Sequence, residues 1–187
     1  MAGMRGKQTV WDMTLSMAVI GIAVAVIYVF IPHDEDADPV RAVDYRVELL
    51  TARRAAPYPV AAPEGLAKDW RPTSVSYERQ SSNAWHLGFL DPDGEYVAVE
   101  QSTAPADKYI RQVSQNAEET ERTQRIGDET WQRWEGPKYD ALVLKEQGAT
   151  TVVTGTASYE QLAKMAAALK TKTPEASPGP EALNAKP

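Results

Sequence analysis

The sequence predicts an α+β protein: an N-terminal transmembrane helix followed by one antiparallel-sheet domain with helices packed on it. Three observations carry this. A charge-free apolar run fills residues 14–31, six short strand-like runs follow one another through turn residues, and amphipathic helical patterns flank and interrupt those runs. With 187 residues, 43% hydrophobic and 25% charged, the chain lies in the globular range and suffices for one domain. Lys and Arg total 20 against 26 Asp and Glu, a formal charge of −6, which gives no electrostatic hold on a nucleic-acid backbone. The chain has no Cys, which excludes disulfides, thiolate zinc sites, a cysteine nucleophile and lipid attachment through cysteine. Its two His starve most metal and triad chemistry.

Thr14 to Ile31 reads TLSMAVIGIAVAVIYVFI. At ~1.5 Å per residue such a helix nearly matches a ~30 Å hydrocarbon core. Trp11 and Tyr28 fall near its ends, where amphipathic rings favour the interface. Arg5 and Lys7 precede it, and Asp34, Glu35, Asp36 and Asp38 follow it before any base. The positive-inside rule then makes 1–13 a cytoplasmic N-terminus and places the rest outside. Ala23-Val24-Ala25 has the form that signal peptidase accepts, but cleavage there would leave VIYVFI at the new terminus, so an uncleaved signal-anchor fits better.

Residues 32–44 form an acidic stalk, in which HDEDADPV repels itself and stays extended; His33 is a solvated stalk residue rather than a metal ligand. The extracytoplasmic α+β domain is expected over 45–172. Tyr45 to Ala56 fits a helix, with Val47 and Leu50 as its apolar set, better than a strand through Tyr45, Val47 and Leu49. Pro57, Pro59, Pro63, Gly65 and Pro72 bar a continuous helix across the next segment, which should run extended over the core.

Strand patterns then cover Thr73–Arg79, Ala84–Leu90 and Glu95–Gln101. The last two are joined by Asp91-Pro92-Asp93-Gly94, the residue order of a type I turn closed by a left-handed glycine with a G1 bulge. That turn pairs Leu90 with Tyr96, Phe89 with Val97, Leu87 with Val99, His86 with Glu100 and Trp85 with Gln101. One face then collects Trp85, Leu87, Phe89, Val97 and Val99.

Ala106 to Ala117 has Ile110, Val113 and Ala117 at helical spacing, with Thr103 as a cap, and polar Glu119–Gly127 reads as a loop. Further arms follow at Glu129–Trp134, Asp140–Lys145 and Thr150–Thr154. Ser158 and Gln161 suggest a capping box. The stripe Tyr159, Leu162, Met165, Ala166 and Leu169 makes a helix ending in Lys170 and Lys172, charges suited to its C-terminal dipole. The Pro-rich segment 173–187 is read as a disordered tail.

The single span, the PEGLAKDWRPTSV run at Pro63–Val75, the WHLGFLDPDGEYVAVEQS hairpin and the TVVTGTAS-helix ending resemble an actinobacterial family of single-pass membrane-anchored proteins catalogued as a domain of unknown function. The resemblance covers most of the chain to about Leu169. It implies the location and the fold, and lends no catalytic residue, substrate or cofactor.

The residues offer little chemistry of their own. A Ser-His-Asp arrangement would have to use His86, yet no Gly-x-Ser-x-Gly elbow surrounds any serine. Asp91-x-Asp93-x-Glu95 imitates a calcium loop but lacks the glycine and the bidentate glutamate that complete one. Gly155 to Ser158 could attract an anion at a helix N-terminus, although the cap already supplies partners for its amides. No metal, cofactor or phosphate loop is expected.

Trp131 and Trp134, three residues apart on a strand, should face opposite sides of the sheet. With one side covered by helices, the other tryptophan should be partly exposed or lie under a loop, and that one is the candidate for contact with a partner. His86 and Glu100, paired on the second face, complete the candidate interaction set, with the charge of Glu100 raising the pKa of His86. The function expected is a membrane-anchored module, held by its N-terminal helix, that binds a partner protein or an envelope component. The alternatives are a carboxylate-dependent envelope hydrolase and a carrier of an apolar ligand.

Overall fold

The computed structural model describes residues 5–30, 42–146 and 148–172. The acidic stalk through Arg41, with His33, and the C-terminal tail from Thr173 lie outside the described residues. The chain separates into two compact units, one holding the N-terminal helix and the other the described residues from Ala42 to Lys172.

The first unit is α1, Arg5–Phe30. Its described side chains run from Trp11 to Val26 and all are exposed, Met17 to 73% and Ile22 to 65%. Among the described residues no helix is long and apolar enough to cross a membrane.

The second unit is an antiparallel-sheet domain with helices packed on it. Its elements are α2 (Arg46–Ala55), β1 (Val60–Pro63), β2 (Arg71–Glu78), β3 (Ala84–Leu90), β4 (Tyr96–Ser102), α3 (Ala106–Val113), β5 (Glu118–Ile126), β6 (Glu129–Glu135), β7 (Asp140–Glu146), β8 (Ala149–Gly155), α4 (Tyr159–Ala168) and β9 (Leu169–Lys172). Seven strands form one sheet in the order β2-β3-β4-β8-β7-β6-β5, and β1 pairs with β9 in a second, two-stranded sheet.

The predicted hairpin register is observed residue for residue from Trp85 opposite Gln101 to Leu90 opposite Tyr96. The turn that sets it is closed by Asp91 N–H donating to Glu95 O at 2.9 Å and Gly94 N–H donating to Asp91 O at 3.0 Å, with Gly94 at φ +82°. Asp91 Oδ1 accepts from the amides of Asp93 (2.9 Å) and Glu95 (2.8 Å). This is the short-polar-side-chain device that stabilises such turns. β4 lies so close to the end of β8 that a Cβ on Gly155 would sit 1.8 Å from Tyr96 O, so only glycine fits there.

Because side chains alternate along each strand, the sheet builds two cores. On the first face Trp85, Leu87, Phe89, Val97, Val99, Trp131, Leu142 and Val153 pack against Leu49 and Ala52 of α2 and Leu162, Met165 and Ala166 of α4. On the second face Trp134, Ala141, Val143 and Val152 pack against Tyr109 and Ile110 of α3. The buried amide of Gln101 fastens the small sheet to the large one. Its Oε1 accepts from Ala61 N–H at 2.7 Å and its Nε2 donates to Thr151 Oγ1 at 2.9 Å, while Trp85 Nε1 donates to Ala61 O at 3.0 Å.

Several expectations are corrected. The polar run expected to be a loop at Glu119–Gly127 is the edge strand β5, whose charged, mostly exposed side chains suit an unpaired edge. The helix at 46–55 forms, but it buries Leu49 and Ala52 and leaves Val47 74% and Leu50 54% exposed. The extended segment after it contains the strand β1.

α3 stops at Val113, before left-handed Gln115 and Asn116, and Thr103 does not cap it: its Oγ1 donates to Ser82 O at 2.8 Å. Ser158 caps α4 by accepting from Gln161 N–H at 3.4 Å. The Gln161 side chain donates to Asp93 Oδ2 at 2.8 Å, so only half of the capping box forms. Lys170 and Lys172 belong to β9 rather than to the last helical turn, because the backbone turns extended at Leu169.

Leu162, fully buried between α4 and the sheet, should be a sensitive probe of that docking. Leu162→Ala is expected to cost ~2–5 kcal/mol in urea denaturation, as core truncations do. A loss under ~0.5 kcal/mol, the size of ordinary surface changes, would show that α4 is not docked as described.

Candidate functional site

The hairpin register that buries Trp85 and Leu87 must turn His86 and Glu100 to the second face. There His86 Nδ1 lies 2.6 Å from Glu100 Oε1. β2 pairs with β3 through an irregularity between Pro72 and Ser74, which brings Ser74 opposite Gly88. Ser74 Oγ stands 2.7 Å from His86 Nε2. Three strands therefore contribute one hydrogen-bonded line: Ser74 from β2, His86 from β3 and Glu100 from β4.

Two tyrosines close around it. Tyr109 of α3 donates from its hydroxyl to Glu100 Oε2 at 3.4 Å, and the Tyr96 hydroxyl stands beside Ser74 over Gly88. Gly88 makes room for this meeting, since a Cβ there would lie 2.4 Å from Ser74 Oγ and 2.9 Å from the Tyr96 hydroxyl. With Nδ1–H held by Glu100, neutral His86 presents the lone pair of Nε2 to the Ser74 hydroxyl. Protonated His86 donates from both nitrogens.

Burial opposes the charged form of His86, but the hydrogen bond and negative charge of Glu100 outweigh it, and the pKa is raised. Burial and then the Glu100 charge push the Tyr96 hydroxyl up to about 12 and raise that of Tyr109 as well.

Over the His86 and Glu100 part of this line, and not lined by Ser74, opens a cleft of about 390 Å³ between α3 and the ends of β2, β3 and β4. Ser76, Glu78, His86, Glu100, Lys108 and Gln112 are among its walls. A second cavity of about 390 Å³ lies on the first face, with Trp131, Leu144 and Leu169 beside Glu129, Glu146 and Lys170. Burial and then Glu129 raise the pKa of Glu146 there. Among the described residues no group of three or more His, Asp or Glu is placed to hold a metal ion.

The sequence pairing of His86 with Glu100 is thus present, and Trp131 and Trp134 do face opposite sides. The exposure expected of one tryptophan is not found. Trp131 is 4% and Trp134 2% exposed, because α3 and Ala117 cover the second face where Trp134 lies. Trp131 reaches only the wall of the second cavity.

Ser74, Tyr96 and Tyr109 were missed. The hydroxyl–imidazole–carboxylate line forms without the Gly-x-Ser-x-Gly elbow, whose absence argued against it. Ser74 sits in a strand, and its approach to His86 depends on a bulge with no local residue signature. The alternation of Tyr96 with Ala98 and Glu100 was the one available signal, since it puts all three on the face of His86.

The model of a protein family described as "Protein of unknown function (DUF4245)" matches residues 5–169, and the chain belongs to that family. No curated protein matches the chain.

Because its folded pKa is raised, His86 contributes stability that is fully present below its unfolded value and lost as pH rises through the folded value. An NMR titration should place the His86 pKa above ~6.5, the usual value, and Glu100→Gln should bring it down. A wild-type value below ~6.5 would contradict the pairing.

Proposed function

We propose that this member of the family is a membrane-anchored extracytoplasmic module that binds a polar segment of a partner protein or of the cell envelope in the cleft over His86 and Glu100. Supporting the anchor, residues 14–31 carry no charge, and the described apolar side chains of α1 are exposed around the helix, a surface that lipid would cover. The bases before that run and the acids after it favour a cytoplasmic N-terminus.

The observation that carries the binding reading is the cleft itself. It lies on the part of the second face that α3 leaves open, and its floor is a half-buried ionisable pair. Hydroxyls of Ser76, Ser81 and Ser82 with Lys108 and Gln112 supply donors and acceptors suited to an amide or hydroxyl-rich ligand.

The cleft favours neither alternative. A carboxylate-only hydrolase working there would need two free acids, whereas Glu100 is engaged on both oxygens and Glu78 accepts from Ser81 Oγ at 2.8 Å. An apolar carrier needs a tryptophan-lined cavity, and the second cavity has one tryptophan and an acidic rim.

Alkaline phosphatase fused after Pro187 should be active in cells and fused before Met1 inactive; the reverse pattern would overturn the orientation. A photo-crosslinking residue at Gln112 of the full-length chain in its native membrane should yield a discrete adduct, and one at exposed Glu121 on the far edge strand should not. Equal adducts at both, or none at Gln112, would remove the cleft as a binding site.

A further inference from the structure

We propose that Ser74, His86 and Glu100 form a nucleophile–base–carboxylate triad that hydrolyses an acyl ester presented on the second face beside the cleft, with the Tyr96 hydroxyl as oxyanion donor. Such triads are recognised by geometry and roles rather than by sequence order. Here the order is complete: serine oxygen to Nε2 at 2.7 Å and Nδ1 to carboxylate at 2.6 Å. Glu100 holds the tautomer in which Nε2 can take a proton, and Tyr109 holds the other carboxylate oxygen. Ser74 and Tyr96 stand outside the cleft's walls and are each only half-buried, so a reacting group can approach Ser74 Oγ from the second face beside it.

The chemistry balances with water as the only co-reactant. Ser74 Oγ attacks the acyl carbon, forming a C–O bond while its proton passes to His86 Nε2. Collapse of the tetrahedral intermediate breaks the bond to the leaving alkoxide, which takes that proton and departs as the alcohol. Water then gives a proton to Nε2 and attacks the acyl-serine. Ser74 leaves and recovers the proton, releasing the carboxylic acid.

Charge on the former carbonyl oxygen develops beside Ser74 Oγ, where the Tyr96 hydroxyl already stands in the space left by Gly88. A single side-chain donor stabilises less charge than a pair of amides. This favours esters, whose leaving groups depart readily, over amides.

The full-length chain treated with a fluorophosphonate tests this directly, because the serine oxygen displaces fluoride to form a stable phosphonyl ester. Mass spectrometry should find one adduct, on the peptide containing Ser74. Ser74→Ala should abolish it, and Tyr96→Phe should slow hydrolysis of p-nitrophenyl acetate. Glu100, a positioning residue, should lower the labelling rate by roughly 10⁴ when changed to Gln, the loss seen when a triad carboxylate becomes an amide. It should also move the pH profile of labelling to lower pH, because His86 loses its charged neighbour.

The other ionisable groups that share the cleft, Glu78 of β2 and Lys108 and Tyr109 of α3, are unchanged in that variant. No adduct on Ser74 of the wild-type chain, an adduct on another serine instead, or equal labelling of Glu100→Gln would overturn the triad. A chain that crosslinks at Gln112 but takes no phosphonyl group keeps the binding role and loses this one.

Discussion

Asp91 holds the next four residues in a turn that admits one strand pairing. Its carboxylate takes two amides, its own amide reaches Glu95 O, and Gly94 takes the left-handed conformation that closes the loop. Side chains along a strand alternate with period two, so a slip of one residue would exchange the faces of β4. Val97 and Val99 would leave the first core, and Glu100 would be carried into it without His86. The effect would propagate, since β4 sets the register of β8 through Val99 opposite Val153, and β8 sets that of β7 through Val153 opposite Leu142. Both cores and the polar line on the second face thus rest on one loop of four residues.

Where a feature was written in local chemistry, it was legible. The hairpin could be read because turn residues and hydrophobic pattern demanded the same register, and α4 because Ser158, Leu162, Met165 and Ala166 stand at helical spacing. Features set by partners distant in sequence could not be read this way. β5 carries almost no apolar residues and is a strand only because β6 pairs with it, its edge position tolerating polar side chains on both faces. The exposure expected for a tryptophan failed because α3 crosses to the second face and covers Trp134, a route that no pattern in Ala106–Val113 announces. Of the candidate site, the His86–Glu100 pair was readable from register alone. Ser74 was not, because the irregularity after Pro72 that aligns it arises in the pairing itself.

The cleft has a geometrical origin. An eight-residue helix such as α3 is only ~12 Å long, whereas seven strands spaced at ~4.8 Å span nearly 30 Å. On the first face α2, α4 and the small sheet together cover that width. On the second face α3 packs over β8 and the strands beyond it, and the β2 side is left to hydroxyls, an imidazole and a carboxylate. Side chains there are polar because water or a ligand, rather than a helix, is their neighbour. They are nevertheless ordered, because each hydrogen-bonds to the next across the strands.

The pairing of β1 with β9 joins Val60 to Lys172, roughly 110 residues apart, in a contact that loop-closure entropy makes slow to form. Through Gln101 and Trp85 this small sheet is also bolted to the centre of the large one. During synthesis β2 to β4 and then β5 to β8 can pair in sequence as they emerge, with β4 joined to β8 once the latter is made, but β1 waits without its partner until Lys172 has left the ribosome. The first core therefore closes last, and a chain interrupted anywhere before Leu169 retains an open edge at Val60–Pro63. Pairing of the final strand is what closes that edge.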